Sequence, residues 1–481
     1  MIKKLFPLAL LCTGLIFTAC GTKPLAEDSP KEAPKVTKVE TPAPKKEIKD
    51  PPNVKFAKEL QKLLDENNID GAIEHFNSIP KELADDTDLM LLLGALYYSD
   101  SRFDDAIKVA NKVLSIEKNN KDAVELLSMA SQAKGDSQAY KTLSEQILKE
   151  DPYNPTVNIQ KAQSYAKKRN FRQARSCYAK ALKGDSKNED AMFGYAQTSY
   201  YEGDTKAATF YFEKLLKINP ENSAALAYLG KIAYSDENYL KAATYVEEAL
   251  TYDPENYDYW MDYGTYLRYR GKFDDAAKAW EHASKIDPEY FLSYAYLAGN
   301  YDDLGKFDLA LKNYHKVIET NPDYYYAYES AAILEYHQKN YAEAIKLFNT
   351  AYNYRANDPK LNHLNWAYAL MIAACYYKMN NPQGAKKVIT TQLKKMDYNS
   401  NEYAMVRFFG ESYSKNAENQ LTQKINKEGD SNIKGKMLFY MGLYCELNKA
   451  DELAKEYYAK VTKMQAPMFF EYRIAEWGLE G

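Results

Sequence analysis

The chain has 481 residues, with 63 basic and 67 acidic side chains and a formal net charge of −4. A mildly acidic chain without a basic stripe argues against nucleic acid as the main ligand. The five cysteines include no CxxC pair, so neither a zinc site nor a redox dithiol is indicated. Such a length ordinarily predicts several globular domains, but the internal repeat of this chain predicts one extended array instead.

Residues 1–19 have the pattern of a secretory signal peptide. Two lysines precede an apolar run at residues 5–17, which is too short to span a membrane as a helix. Residues 17–21, FTACG, resemble a bacterial lipoprotein processing site. The resemblance implies cleavage before Cys20 and lipid attached to that residue. An ordinary cleaved leader with an incidental cysteine is the alternative.

Residues 20–52 are dominated by lysine, glutamate and proline and contain no aromatic residue. Such a composition cannot bury enough apolar area to order itself, so we expect a disordered tether with a reach of at least ~30 Å. The lipoprotein resemblance implies a lipid anchor in the cell membrane or the outer membrane, with the folded part in the periplasm or otherwise outside the cytoplasm. Gly21 is not the aspartate that retains some lipoproteins at the inner membrane, which favours the outer membrane.

From residue 53 onward the sequence repeats with a period of 34 residues. Alanine recurs at this step at Ala174, Ala208, Ala242, Ala276, Ala310 and Ala344. A bulky residue recurs at Tyr178, Phe212, Val246, Trp280, Tyr314 and Phe348. A fixed period of this size marks a stack of small units. One such unit cannot bury its apolar face alone, so neighbouring units must stack.

The clearest unit, residues 257–290, predicts two helices. Its first half places residues on one helix face, namely Trp260, Tyr263, Gly264 and Leu267. Gly271 suits the end of this helix because glycine tolerates positive φ. The second half repeats the helical spacing and stops before Pro288, since the residue before a proline disfavours the helical conformation. Each unit is therefore predicted to be a helical hairpin.

The pattern W-x2-Y-G-x2-L, followed by G-x-F-x2-A-x3-W-x2-A-x4-P, resembles the tetratricopeptide repeat. Nine in-phase 34-residue units fit residues 53–358. Looser units occupy residues 359–481, which also contain a closing helix at residues 467–477. The resemblance implies an all-α fold, an α-solenoid in which about twelve hairpins form a right-handed superhelix with a C-terminal capping helix.

No arrangement typical of catalysis or metal binding stands out. The histidines form no metal-binding pair, and we interpret them as structural or surface residues: His75, His282, His315, His337 and His363. Residues 66–77 are similar to an EF-hand loop, but Asn77 replaces its bidentate glutamate, so a helix-to-helix turn is expected. We predict no enzyme activity, no cofactor and no metal; an active site assembled from distant repeats is the alternative.

In the tetratricopeptide family the first helix of each hairpin lines the concave face. That resemblance implies these candidate binding residues: Phe193, Tyr200, Tyr201, Tyr234, Met261, Arg268, Tyr269, Asp302, Asp303, Tyr326, Tyr336 and His337. Tyrosine, with 44 copies, offers broad contact area at little cost in side-chain freedom, although solvated packing explains such residues equally well. The carboxylate clamp of some family members is not matched, since the corresponding residues are Gln163, Gln197, Lys231 and Thr265. Asp302 and Asp303 predict an acidic middle of the groove, and hence an aromatic, polar or basic partner.

These features predict a non-catalytic scaffold of the cell envelope that holds other envelope proteins or peptides in an assembly, export or biogenesis complex. Membrane contact is expected through the N-terminal lipid only. The alternative is an accessory protein that captures a glycan or other solute for an uptake or polysaccharide-export system. An aromatic patch confined to one or two repeats would favour the glycan, and a continuous surface of mixed charge would favour the polypeptide.

Overall fold

A computed structural model of the chain describes residues 51–356, 365–411, 414–464 and 469–480. Regular structure in these ranges is helical, with twenty-five α-helices, two short 3-10 turns at residues 76–78 and 81–83, and no strand. None of these helices combines the length and the apolar character needed to cross a bilayer. The predicted signal peptide, most of the predicted tether, Cys20 and His363 lie outside the described residues.

The helices form two compact units, one ending at Pro220 and one beginning at Glu221. The first unit contains α1 (Pro52–Asp65), α2 (Ile69–His75), α3 (Thr87–Ser99), α4 (Phe103–Ile116), α5 (Lys121–Lys134), α6 (Ser137–Glu150), α7 (Pro155–Lys167), α8 (Phe171–Gly184), α9 (Glu189–Tyr201) and α10 (Thr205–Leu216). The second unit begins with α11 (Ser223–Ser235), α12 (Tyr239–Tyr252), α13 (Tyr257–Tyr269), α14 (Phe273–Ile286), α15 (Phe291–Asp303), α16 (Phe307–Thr320), α17 (Tyr325–His337) and α18 (Tyr341–Ala356). It continues with α19 (Asn365–Lys378), α20 (Pro382–Leu393), α21 (Asn401–Gly410), α22 (Lys415–Lys427), α23 (Ser431–Leu447), α24 (Asp451–Thr462) and α25 (Glu471–Glu480).

Asparagine recurs directly before the helices and determines where they begin. The side chains of Asn154, Asn188 and Asn222 each accept a hydrogen bond of 2.9 Å from the backbone N–H three residues further on. The second helices α8 and α12 begin in the same way at Asn170 and Asn238. Each bond satisfies a backbone donor that the first helical turn leaves without an intrahelical partner.

The alanines and bulky residues that recur every 34 residues form the helix-to-helix contacts within each unit. All six recurring alanines are fully buried, as are Phe212, Trp280 and Phe348 among the bulky residues. The first helices approach closely because small residues face these rings. A Cβ added at Gly264 would lie 2.5 Å from Trp280 Nε1, and one added at Gly194 would lie 2.1 Å from the Tyr178 ring. The structure thus confirms the predicted helical hairpins and their close packing.

Three cysteines lie in the described helices, and all three are buried and free of disulfides: Cys177, Cys375 and Cys445. Burial raises the pKa of the Cys375 thiol to about 12. They act as small apolar core residues, in keeping with the absence of a CxxC pair. Within the described ranges, no group of three or more histidine, cysteine or acidic side chains is placed to hold a metal ion.

Regular helices also occupy both ends of the described repeats. In the EF-hand-like stretch, residues 66–68 form a turn after α1 and residues 69–75 are α2, whose first turn is capped because the Asn68 side chain accepts a hydrogen bond from Gly71 N at 2.9 Å. Beyond α18, three further helix pairs follow, namely α19 with α20, α21 with α22 and α23 with α24. A closing helix is present as α25, which begins at Glu471, later than the predicted start at residue 467, continues to Glu480, and packs on α23 and α24.

Candidate binding surface

The first helices carry all twelve residues that the sequence singled out. In the first unit, α9 carries Phe193, Tyr200 and Tyr201. In the second unit, the candidates lie on α11, α13, α15 and α17: Tyr234, Met261, Arg268, Tyr269, Asp302, Asp303, Tyr326, Tyr336 and His337. Three tyrosines are about half exposed: Tyr201 at 50%, Tyr269 at 54% and Tyr326 at 52%. About half of each of these side chains is therefore accessible to solvent.

The candidates on α9 are partly structural. The Phe193 ring lies 5.7 Å, centroid to centroid, from the fully buried Phe212 ring in an edge-on arrangement. The Tyr201 ring stacks on Phe171 at 4.9 Å, and the Tyr200 ring meets Tyr201 at 5.5 Å. Phe193 therefore fills space above the core, whereas Tyr201 joins a small exposed aromatic group.

Four tyrosines on α11, α12 and α13 form what we call the tyrosine cluster: Tyr234, Tyr239, Tyr266 and Tyr269. The Tyr234 ring stacks on Tyr266 at 5.0 Å and meets the Tyr269 ring edge-on at 5.2 Å. The Tyr239 ring lies 5.0 Å from Tyr269. Burial first, and then a hydrogen bond with Tyr269, raise the pKa of Tyr234 to about 12. The Tyr234 hydroxyl therefore stays a neutral hydrogen-bonding group at neutral pH.

A second group of rings, which we call the tyrosine patch, lies on α15 and at the start of α17 and comprises Tyr296, Tyr324 and Tyr326. Tyr296 and Tyr326 are exposed. The Tyr324 and Tyr326 rings lie 5.7 Å apart. Burial, followed by the neighbouring Tyr326 and Tyr296, raises the pKa of Tyr324. Tyr296 also contributes to the raised pKa of Tyr234 in the tyrosine cluster.

Met261 contributes to this surface through its backbone carbonyl, which contacts Trp280. It is half-buried on α13, and its carbonyl oxygen accepts a hydrogen bond of 3.1 Å from Trp280 Nε1. The Trp280 ring in turn lies 5.2 Å from the Tyr296 ring. The buried tryptophan thereby joins the core of one hairpin to the first-helix face of the next.

The charges on this face differ from the prediction. Asp303 pairs with Arg268, and Asp302 accepts two hydrogen bonds from the guanidinium of Arg473 on α25, one of them at 2.5 Å. The predicted acidic middle is therefore wrong, because an arginine neutralises each carboxylate. Only the Asp303 pair is substantially exposed, since the Asp302 side chain is 9% exposed.

Tyr336 and His337 were predicted to lie on an open face, but the structure covers both residues. Tyr336 is buried, and the His337 ring lies 4.0 Å from the Trp477 ring of α25. Burial, followed by the nearby Arg473, lowers the pKa of His337. Helix α25 covers Asp302 and His337, whereas Tyr269, Tyr296 and Tyr326 on the first helices of the second unit stay exposed.

Sequence reasoning missed a groove of about 510 Å³ formed by α12, α13 and α14. The Trp260 and His282 rings stack in it at 4.2 Å, and the Tyr263 hydroxyl donates to Glu247 Oε1 at 3.2 Å. Charged residues of both signs surround these rings: Arg270, Lys272, Asp275 and Lys278. Trp260 and Tyr263 occupy regular repeat positions, so the sequence offers no signal that separates this groove from ordinary packing.

Stacked hairpins of this kind define a helical repeat protein with a tyrosine-rich first-helix face. A family model for the tetratricopeptide repeat matches residues 159–223, 199–257, 228–291 and 297–361. The chain therefore carries tetratricopeptide repeats and has the α-solenoid fold class of that family, as its sequence predicts. Proteins of this family mediate protein–protein interactions and are generally non-catalytic.

Several solved structures are similar to parts of the chain. MamA is 24% identical over 34% of this chain and 96% of its own, with a TM-score of 0.33. YrrB, described as a TPR protein with an unusual peptide-binding site, is 19% identical over 39% of this chain and 96% of its own, with a TM-score of 0.35. PilF of Pseudomonas aeruginosa is 20% identical over 45% of this chain and 94% of its own, with a TM-score of 0.33. No curated protein sequence matches the chain. Nothing about the partners of this protein follows from these likenesses.

Proposed function

We propose that the protein is a non-catalytic scaffold of the cell envelope that binds polypeptides through its first-helix tyrosines. The observation that carries this proposal is the row of exposed rings on successive first helices of the second unit, at Tyr269, Tyr296 and Tyr326. Tyrosine combines a large rigid ring with a hydroxyl group, so it contributes contact area at a low cost in side-chain entropy. Such rings are typical anchors of protein recognition surfaces.

The extent and charge of this surface favour a polypeptide over a compact ligand. Exposed tyrosines lie on three successive first helices, α13, α15 and α17, so the aromatic surface is not confined to one repeat. The exposed pair of Arg268 and Asp303 adds one charge of each sign. An extended chain presents side chains of different character at intervals, and a long mixed surface suits that pattern.

One observation favours the glycan alternative. The tyrosine cluster packs four rings into three consecutive helices, with centroid separations of 5.0–5.7 Å. Such a local concentration of aromatic faces suits stacking on sugar rings. Loss of glycan binding in a Tyr234→Ala variant with normal polypeptide binding would assign the function to this alternative.

The envelope part of the proposal rests on the N-terminal sequence. A lipid on Cys20 together with the segment 20–52 would tether the repeats to a membrane while leaving their orientation free. Palmitate labelling of the wild type and of a Cys20→Ala variant tests the anchor. We expect the label to disappear from the variant, and equal labelling of both proteins would rule the anchor out.

Site-specific photo-crosslinking tests the binding surface. A photoreactive phenylalanine derivative is placed at Tyr296 in the tyrosine patch or, as a matched control, at Tyr252, which is exposed to a similar extent but lies on the second helix α12. We expect defined crosslinked polypeptides from position 296 and none of them from position 252. The Tyr269→Ala and Tyr326→Ala substitutions should abolish these products; identical products from both positions would refute the assignment of the surface.

A further inference from the structure

Helix α25 has two anchoring faces. Phe470 lies directly before the helix, and with Arg473, Ile474 and Trp477 it follows the i, i+3, i+4, i+7 spacing of one helix side. Glu471, Ala475 and Gly478 share a neighbouring side. Ten residues are too few for a stable isolated helix in water, so α25 owes its structure to the walls that it contacts.

The first wall is built from the first helices and their neighbours. Arg473 pairs with Asp302 on α15, and its guanidinium lies 4.5 Å from the centre of the Trp477 ring. The Trp477 ring lies 4.0 Å from His337 and meets Phe307 edge-on at 5.6 Å.

The same wall extends to α18 and α19. The Phe470 ring stacks on Tyr368 at 5.6 Å and lies 6.0 Å from Phe348. Phe470, Arg473 and Trp477 therefore each face a complementary group.

The second wall is built from α23 and α24. Glu471 is fully buried, with an oxygen 3.3 Å from Lys436 Nζ and another contact of 3.0 Å to the Tyr440 hydroxyl. Gly478 lies against Tyr458 so closely that an added Cβ would be 2.6 Å from the ring. The two walls enclose what we call the α25 groove, lined by Asp302, Phe307, His337, Phe348, Tyr368, Lys436, Tyr440 and Tyr458.

This geometry matches a known mode of peptide recognition, in which an amphipathic helix lies in a groove and anchors itself at i, i+3, i+4 and i+7. The C-terminal end of α25 is less buried than its N-terminal end, because Glu476, Leu479 and Glu480 are exposed. Asp302 determines what can replace α25. A buried carboxylate without its cation is unfavourable, so an incoming helix must supply a positive charge at that position.

We propose that the α25 groove is a helix-recognition site, occupied by the chain's own C-terminal helix, and that a partner polypeptide binds there by displacing α25. The partner helix carries an aromatic residue, an arginine, an apolar residue and a tryptophan or similar ring at i, i+3, i+4 and i+7. This inference rests on the proposed function as a polypeptide-binding scaffold, but it concerns a different surface from the tyrosine cluster and the tyrosine patch.

A labelled peptide with the sequence of residues 469–480, FFEYRIAEWGLE, tests the proposal in fluorescence anisotropy titrations of the full-length protein. Tethering gives α25 an effective concentration on the order of millimolar, so the wild type should bind the peptide weakly. The Arg473→Glu/Trp477→Ala double variant loosens α25 and should bind it at least about tenfold more tightly, because the competing helix is weakened. Glu476→Ala/Leu479→Ala, on the exposed side of α25, is the matched control and should behave as wild type.

Specificity is tested with a peptide that carries Arg473→Glu, for which binding to the loosened variant should fall about tenfold or more because Asp302 loses its cation. Equal affinity of wild type and loosened variant, or indifference to the arginine, would overturn the proposal.

Hydrogen exchange on the wild type provides a second measurement that needs no variant. If a partner can displace α25, this helix must detach while the rest of the fold stays intact. Its amides should then exchange at least about tenfold faster than those of α23. Equal protection of α25 and α23 would make α25 a permanent part of the core and refute the proposal.

Light scattering tests whether the α25 groove binds a different polypeptide or the α25 helix of a second copy of the chain. We expect monomers of both wild type and loosened variant; dimers formed by exchange of α25 would assign the groove to self-association instead. The Tyr269 and Tyr326 variants leave the α25 groove intact, so failure of one proposal does not imply failure of the other.

Discussion

Gly264 provides a sharp test of how the hairpins pack. Alanine normally stabilises a helix interior relative to glycine by about 1 kcal/mol. Gly299 on α15 is a suitable control, because an added Cβ there meets no atom within 4 Å. An added Cβ at Gly264 on α13 instead lies 2.5 Å from Trp280 Nε1 and 2.7 Å from two carbons of the same ring.

The magnitudes predict opposite signs for the two substitutions. Gly299→Ala should stabilise by about 1 kcal/mol through backbone propensity alone. Gly264→Ala gains the same term but forces the fully buried Trp280 to move, and overpacking of this kind costs about 1–3 kcal/mol. The tryptophan also donates its hydrogen bond to the Met261 carbonyl, and displacement would weaken that bond by about 1 kcal/mol. We expect a net destabilisation of about 1–3 kcal/mol for Gly264→Ala.

A double-mutant cycle isolates the contact. In a Trp280→Ala background the clash is absent, so Gly264→Ala should become stabilising, by about 1 kcal/mol. Repeat arrays can unfold in segments, so the free energy is measured by native-state hydrogen exchange at the amides of α13 and α14 and compared with global denaturant unfolding. If Gly264→Ala stabilises as Gly299→Ala does, the close approach of Gly264 and Trp280 is refuted.

Three further predictions concern pH, capping and repeat contacts. Docking of α25 lowers the pKa of His337, so the docked state binds fewer protons than the undocked state. Docking should therefore be fully stable above about pH 6.5 and weaken as the pH falls below that value. The fluorescence of Trp477 measures this change. This step should disappear in His337→Asn. Asn222→Ala removes the N-cap bond of α11 and should cost about 1 kcal/mol in denaturant unfolding, whereas Asn222→Asp should be nearly neutral. Tyr301→Phe removes the 2.7 Å bond to Glu281 while keeping the ring, so it should cost about 1 kcal/mol and leave partner capture unchanged.

Most of the fold could be predicted from the sequence because its determinants are local. Six alanines spaced by 34 residues specify the hairpin contact, and asparagines specify where helices begin. The binding face was predicted only in part. Arg473 and Asp302 are 171 residues apart in the sequence, and no periodic pattern connects a closing helix to a distant first helix. The resemblance placed Asp302 on the inner side of its helix, but it contained no information about which group would cover it.

The tyrosine count illustrates why position decides more than composition. Several hydroxyl groups form bonds within the fold, such as Tyr263 to Glu247, Tyr301 to Glu281 and Tyr294 to the Pro288 carbonyl. These rings fill the large repeat positions, and their hydroxyls tie neighbouring helices together. Exposed first-helix rings such as Tyr269 and Tyr326 fill no such position, and about half of each side chain remains exposed to water. Because exposing this apolar area to water is unfavourable, they are the tyrosines for which binding to a partner provides the better physical explanation.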